Sequence, residues 1–215
     1  MSRPDPHASV TLLAWRAAWV SLLVVLCLTV VLALLIGYHG EETQAALTPD
    51  RFDERWQIRS GVAKADRLVL NPTAQALSVA LRPIDAQTDG FTLQTRVTLN
   101  QATSAAGLIV QADDADHFVA FVISADGYFR LSAYRNGVWI DRVPWRTWPH
   151  VRRDGSPNNL RAECRSGACT FFVNDEWTWH AESLPATLKV GVVATGLDAR
   201  SGGEVEFDQF AVQSP

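Results

Sequence analysis

Two kinds of apolar pattern divide this sequence. The first spans residues 17–38. From Ala17 to Ile36 it reads AAWVSLLVVLCLTVVLALLI, apolar on every face and without a charge. About 20 such residues suffice for a helix to cross a hydrocarbon core roughly 30 Å thick. The run also lacks the one-sided stripe of a soluble helix. Trp15 and Trp19 at one end and Tyr38 at the other suit the two interfaces, and Arg16 can reach the headgroups. The pattern predicts a transmembrane helix over 17–38.

The second pattern begins at Phe52 and is that of strands. FTLQTRVTL alternates: Phe91, Leu93, Val97 and Leu99 share one face, and Thr92, Gln94, Arg96 and Thr98 the other, as in a half-buried strand. GLIVQA and HFVAFVIS are continuously apolar, as strands covered on both faces would be. KVGVVATG and EVEFDQFAV add further strands. Asp89-Gly90, Asp126-Gly127, Asn136-Gly137 and Gly202-Gly203 supply turns between them. No helix outside 17–38, internal repeat or low-complexity tract is visible. The expected fold class is therefore all-β, a sandwich of two antiparallel sheets behind one transmembrane α-helix.

Asn136-Gly137 predicts residue pairs, because a two-residue turn of this type sets hairpin register. Arg135 faces Val138, Tyr134 faces Trp139 and Ser132 faces Asp141. One face then carries Tyr128, Arg130, Ser132, Tyr134, Trp139 and Asp141. The other, with Phe129, Leu131, Ala133 and Ile140, is assigned to the core. Flat aromatics beside hydrogen-bonding groups are the chemistry of a sugar-binding surface; cross-strand aromatic pairs that merely stabilise the sheet give the same pattern. VPWRTWPHVRRDGSPN (Val143 to Asn158) reads as a connecting loop. Its Trp145 and Trp148, with Arg146, Arg152 and Arg153, either stack on a sugar, anchor a protein partner or pin the loop down. The candidate ligand-binding residues are Tyr128, Arg130, Tyr134, Trp139, Asp141, Trp145 and Trp148.

Similar arithmetic applies to AECRSGACTFFVND. With Arg165 to Ala168 as the turn, Cys164 sits opposite Cys169. Directly opposed positions put Cα atoms about 4.5–5.5 Å apart, within disulfide range. Free thiols, a metal clip and a redox pair are the other readings. Zinc needs four ligands and redox pairs favour C-x-x-C, and neither pattern accompanies this pair. Cys27 lies inside the apolar run without an obvious partner.

Charge sets the orientation. Arg3, Arg16 and the free amine precede the run, and Glu41 and Glu42 follow it. Positive-inside logic makes residues 1–16 a short cytoplasmic tail, 39–51 a linker and 52–213 an extracytoplasmic domain. The expected location is the cell membrane, single-pass, with the N-terminus cytoplasmic and the cysteines in an oxidising space. A signal peptide cleaved near Thr43-Gln44-Ala45 is the competing reading, but such peptides have apolar regions of only about 7–15 residues. A net charge of −4 offers nucleic acid no general attraction.

Several stretches also resemble a known superfamily. CTFFVND resembles the strand–Val-Asn-Gly–strand hairpin of concanavalin A-like lectin/glucanase domains, with Asp175 in place of the usual Gly. RFDERWQI resembles the opening strand of the laminin-G-like and DUF1080-like (keto-disaccharide hydrolase-type) branch. GLIVQADDADHFVAFVISADGYFRLSAYRNGVW resembles its central block, and NNLRAEC and VEFDQFAV its later strands. The resemblance covers nearly all of Phe52 to Val212. It implies a jelly-roll sandwich of two curved antiparallel sheets whose concave sheet or rim loops often bind glycans.

Glucanases of that superfamily carry Glu-x-Asp-x-x-Glu on a strand. Here Glu204, Glu206 and Asp208 alternate on one face, but in a different order and on the last strand, so they read as a solvated face. The sequence contains no G-x-S-x-G, no H-E-x-x-H and no phosphate loop. His7, His39, His117, His150 and His180 are scattered. Asp113, Asp114 and Asp116 can offer oxygens to Ca²⁺ but lack EF-hand spacing, and no cofactor is assigned. The expectation is a membrane-anchored, non-catalytic binding module for a glycan or cell-envelope polymer, or for a protein partner. An accessory subunit of a larger membrane complex and, on fold analogy alone, a glycoside hydrolase-like enzyme are the alternatives. Expected partners are lipid along the helix, a glycan and membrane-complex subunits, without nucleic acid.

Overall fold

The computed structural model describes residues 19, 21–29, 48–64, 66–73, 76–84, 90–101, 104–184, 189–197 and 203–213. The chain divides into two units, residues 1–46 and 47–215. In the first, Trp19 and residues 21–29 are helical and exposed. The rest of the expected 17–38 span, the tail 1–16, most of the linker, the Thr43-Gln44-Ala45 site, Asp89 and Gly202 lie outside the described residues. No helix among the described residues is long and apolar enough to cross a membrane.

Among the described residues, the regular structure of the second unit is all strand. In chain order these are β1 (Gln57–Arg59), β2 (Gly61–Ala63), β3 (Arg67–Leu70), β4 (Ser78–Pro83), β5 (Gly90–Leu99), β6 (Ser104–Asp114) and β7 (His117–Ser124). They continue as β8 (Tyr128–Arg135), β9 (Val138–Thr147), β10 (Asn158–Arg165), β11 (Ala168–Val173), β12 (Glu176–Ala181), β13 (Lys189–Gly196) and β14 (Val205–Gln213). They form two seven-stranded sheets in the orders β1-β4-β13-β6-β7-β8-β9 and β12-β11-β10-β5-β14-β3-β2, with antiparallel pairing throughout. RFDERWQI contributes less strand than its resemblance implies. Arg51 to Trp56 turn instead, and Phe52 and Trp56 pack their rings with Phe210, 6.3 and 4.7 Å away.

The alternation in β5 sends Leu93, Val97 and Leu99 inward, where they meet Phe207 from the same sheet and Leu108, Val119 and Phe121 from the other. Phe121 stacks on Phe171 across the sandwich at 4.8 Å. Each such side chain stabilises the fold by roughly 1.5–3 kcal/mol. The outer face of the first sheet carries a second apolar layer: Val79, Leu81, Ile109, Phe118, Val122 and Val193 are all buried, with Tyr134, Trp139 and Trp145 packed against them. The strands holding GLIVQA and HFVAFVIS are thus covered on both faces, as their continuous apolarity predicts.

Three hairpin turns place both central residues at positive φ: Asn136-Gly137, Ser166-Gly167 and Asn174-Asp175. Asp175 therefore adopts the conformation usually left to glycine, and the turn survives. Cys164 pairs with Cys169 as the register predicts and is bonded to it, with Cα atoms 4.1 Å apart. Ile140 departs from expectation. It pairs with Ala133, but β9 is the sheet's edge, and Ile140 is 51% exposed whereas Ala133 is buried.

Two substitutions test this packing. Gly107 on β6 backs so closely onto β7 that a Cβ would overlap the Phe121 carbonyl oxygen. Gly107→Ala is expected to cost roughly 1–3 kcal/mol in urea unfolding. Replacing Cys164 and Cys169 together by Ser opens a short loop, and about 2 kcal/mol of stability should go with it; equal stability of the oxidised and double-Ser proteins would show that the bridge contributes nothing.

Candidate functional site

The outer face of β8 and β9 collects most of the predicted residues. The pairing is as Asn136-Gly137 predicts for Arg135 with Val138, Tyr134 with Trp139 and Ser132 with Asp141. Beyond Asp141 the register shifts twice, between Ser132 and Leu131 and between Leu131 and Phe129. The first shift turns Val143 into the core, opposite Leu131. The second returns Trp145 to the outer face. Pro144 lies between them, at an irregular point of an edge strand where the lack of an N–H is tolerated.

The consequence is a stacked triad. The Arg130 guanidinium carbon lies 4.1 Å from the Trp139 ring centroid and 4.7 Å from that of Trp145. The Arg130 side chain is only 9% exposed. Among the described residues its guanidinium makes no hydrogen bond, and Nε is fully buried. Among the described residues the nearest carboxylate is Asp141, 3.8 Å from Nη1, and it accepts the Ser132 hydroxyl at 2.6 Å. Burial pulls the guanidinium pKa below its usual value, and the Asp141 charge opposes that shift. Tyr134 completes the wall: it lies 5.1 Å from Trp139 and stacks on Phe118 at 5.1 Å.

This triad lines one side of a cleft of about 320 Å³. The other side comes from Thr73, Leu77, Thr195 and Leu197, at the ends of distant strands. A smaller recess of about 230 Å³ adjoins it, sharing Trp145 and Leu197 and adding Tyr128, Ser124 and Asp126. Ser124 donates its hydroxyl to Asp126 and receives the Tyr128 N–H at 3.1 Å. Six of the seven predicted residues thus share one face. Sequence reasoning missed the opposite wall, because only the fold brings the ends of β4 and β13, separated from β8 in the sheet by β6 and β7, round to the same cleft.

Trp145 and Trp148 do not form a loop pair. Trp145 lies within β9, and Trp148, three residues on along a nearly extended chain, points the other way. It packs against the main core, edge-on to Phe129 at 6.2 Å, and Trp148 therefore leaves the candidate site.

The carboxylate clusters are engaged elsewhere. Asp208 accepts two hydrogen bonds from Arg96, at 2.7 and 2.6 Å, and Glu206 pairs with Arg67 at 3.2 Å. Asp116 is held by both Nη groups of Arg59, which keep its carboxyl below the usual range. Asp114 accepts the Asp116 N–H at 2.7 Å and meets His117 Nδ1 at 3.0 Å; the backbone bond is the main cause of its lowered pKa. No cluster of three His, Cys, Asp or Glu groups suited to a metal occurs among the described residues.

Comparison with protein-family models finds no match, and comparison with curated proteins finds none. Solved structures do match. The carbohydrate-binding module CBM66 from Bacillus subtilis superposes with a TM-score of 0.59 at 12% identity, over 74% of this chain and 96% of that one. The GH43 protein BlXynB from Bacillus licheniformis gives 0.58 at 14% identity, over 80% and 40%. The β-glucanase of Bacillus licheniformis gives 0.56 at 8% identity, over 79% and 96%. At these identities the likeness is one of fold, and the fold is a jelly-roll-like sandwich of two antiparallel sheets.

Proposed function

We propose that this chain is a single-pass, membrane-anchored module whose extracytoplasmic sandwich binds a glycan without cleaving it. The observation that carries the reading is the Trp139–Arg130–Trp145 stack lining a cleft. Aromatic faces suit the apolar faces of sugar rings, and guanidinium and carboxylate edges suit their hydroxyls. A charged side chain nine-tenths buried and without hydrogen bonds is costly to fold, and such costs concentrate at functional sites. The CBM66 likeness supports the same reading at the level of fold. The apolar run over 17–38 and the charges flanking it support the anchor and its orientation.

Glycoside hydrolysis is the weaker reading. Glu206 and Asp208 are each tied to an arginine on the outer face of the second sheet, whereas hydrolysis needs a carboxyl pair facing one bond.

The full chain in mild detergent is expected to bind members of a broad glycan array. Trp145→Ala should weaken that binding by about tenfold or more while leaving the unfolding transition cooperative. Absence of glycan binding, together with copurification of a stoichiometric membrane complex, would replace this reading by that of an accessory subunit. Protease added outside intact cells should degrade the sandwich; full protection there, with cleavage in inside-out vesicles, would reverse the orientation.

A further inference from the structure

We infer that the ligand of this cleft presents a carboxylate, as uronic and other acidic sugars do, and that Arg130 receives it. The inference rests on the glycan-binding reading above and deepens it.

Among the described residues, Arg130 is the only charged one lining the larger cleft. Asp141 stands outside that lining, beyond hydrogen-bonding distance, and already accepts the Ser132 hydroxyl. Among the described residues the cation is therefore held in a desolvated place without a full partner. A neutral sugar closing over it would remove the remaining water and supply only dipoles, whereas a carboxylate would supply the missing charge and two acceptors.

Geometry selects within the anions. Trp139 and Trp145 occupy the ring-stacking positions around the guanidinium, and Nε is sealed. The edge carrying the terminal Nη groups is what remains for a ligand. A planar carboxylate coplanar with the guanidinium fits the slot between two rings and can accept two parallel N–H bonds. A tetrahedral sulfate or phosphate can also meet the fork with two oxygens, but only a carboxylate is planar throughout. The adjoining recess, with Tyr128, Ser124 and Asp126, differs in character: its one charge is a carboxylate. A neutral sugar fits there, which points to an oligosaccharide with its acidic unit at the Arg130 end.

The test uses the full chain in detergent micelles and oligosaccharides in matched sets. Each uronate- or sialate-containing glycan is presented beside its carboxyl-reduced counterpart and a sulfated counterpart. Binding to the acidic member is expected to be about tenfold or more stronger than to the reduced one, and to weaken as salt rises. Arg130→Lys keeps the charge but loses the planar fork, and should remove most of that preference; Trp145→Ala should weaken both members alike. The comparison on the unaltered protein stands even where a variant fails to fold. Equal binding to acidic and reduced members overturns the inference and leaves the glycan reading intact, as does a preference for the sulfated member. Binding to none of them removes the glycan reading itself, and the inference with it.

Discussion

The structure depends on covering β6 and β7 twice. These central strands are apolar along almost their whole length, so a single core would leave half of that surface in water. The second sheet covers one face. The other is covered by the first sheet's own margin, where Tyr134, Trp139 and Trp145 pack over Phe118, Val122 and their neighbours. The candidate site is a by-product of that demand. The aromatic residues that seal the outer layer are also the ones that enclose Arg130.

This links packing to chemistry in a specific way. A guanidinium could not sit over an apolar layer at ordinary cost, but indole faces offset part of the desolvation through cation–π attraction, by about 0.5–2 kcal/mol each. What they cannot supply is hydrogen bonding. The two tryptophans thus make the buried guanidinium tolerable while leaving it without hydrogen bonds among the described residues.

The framework was largely readable from residue order. Alternation located β5, continuous apolarity located β7 and the core of β6, and Asn136-Gly137 and Ser166-Gly167 held their hairpins in the expected register. Local rules suffice there because a tight turn determines every pair next to it. The site was half readable. Tyr134, Trp139 and Asp141 lie within reach of the turn, so their face was predictable. Trp145 lies past two register shifts that depend on whether Val143 finds room in the core, and parity counting from the turn does not reveal them. Trp148 faces away from Trp145, because three residues of extended chain reverse direction, and spacing within the supposed loop does not show this. The cleft's far wall, with Thr73, Leu77, Thr195 and Leu197, has no local signature at all.

Pro144 has a consequence beyond shaping the stack. β9 is the free margin of its sheet, and Val138 and Ile140 near its start are exposed, the kind of margin along which a second chain could zip. Pro144 offers no N–H to continue such a zipper, and exposed Arg142 and Arg146 on either side repel an identical copy. The irregular pairing that returns Trp145 to Arg130 thus also interrupts the free margin along which a second chain could pair.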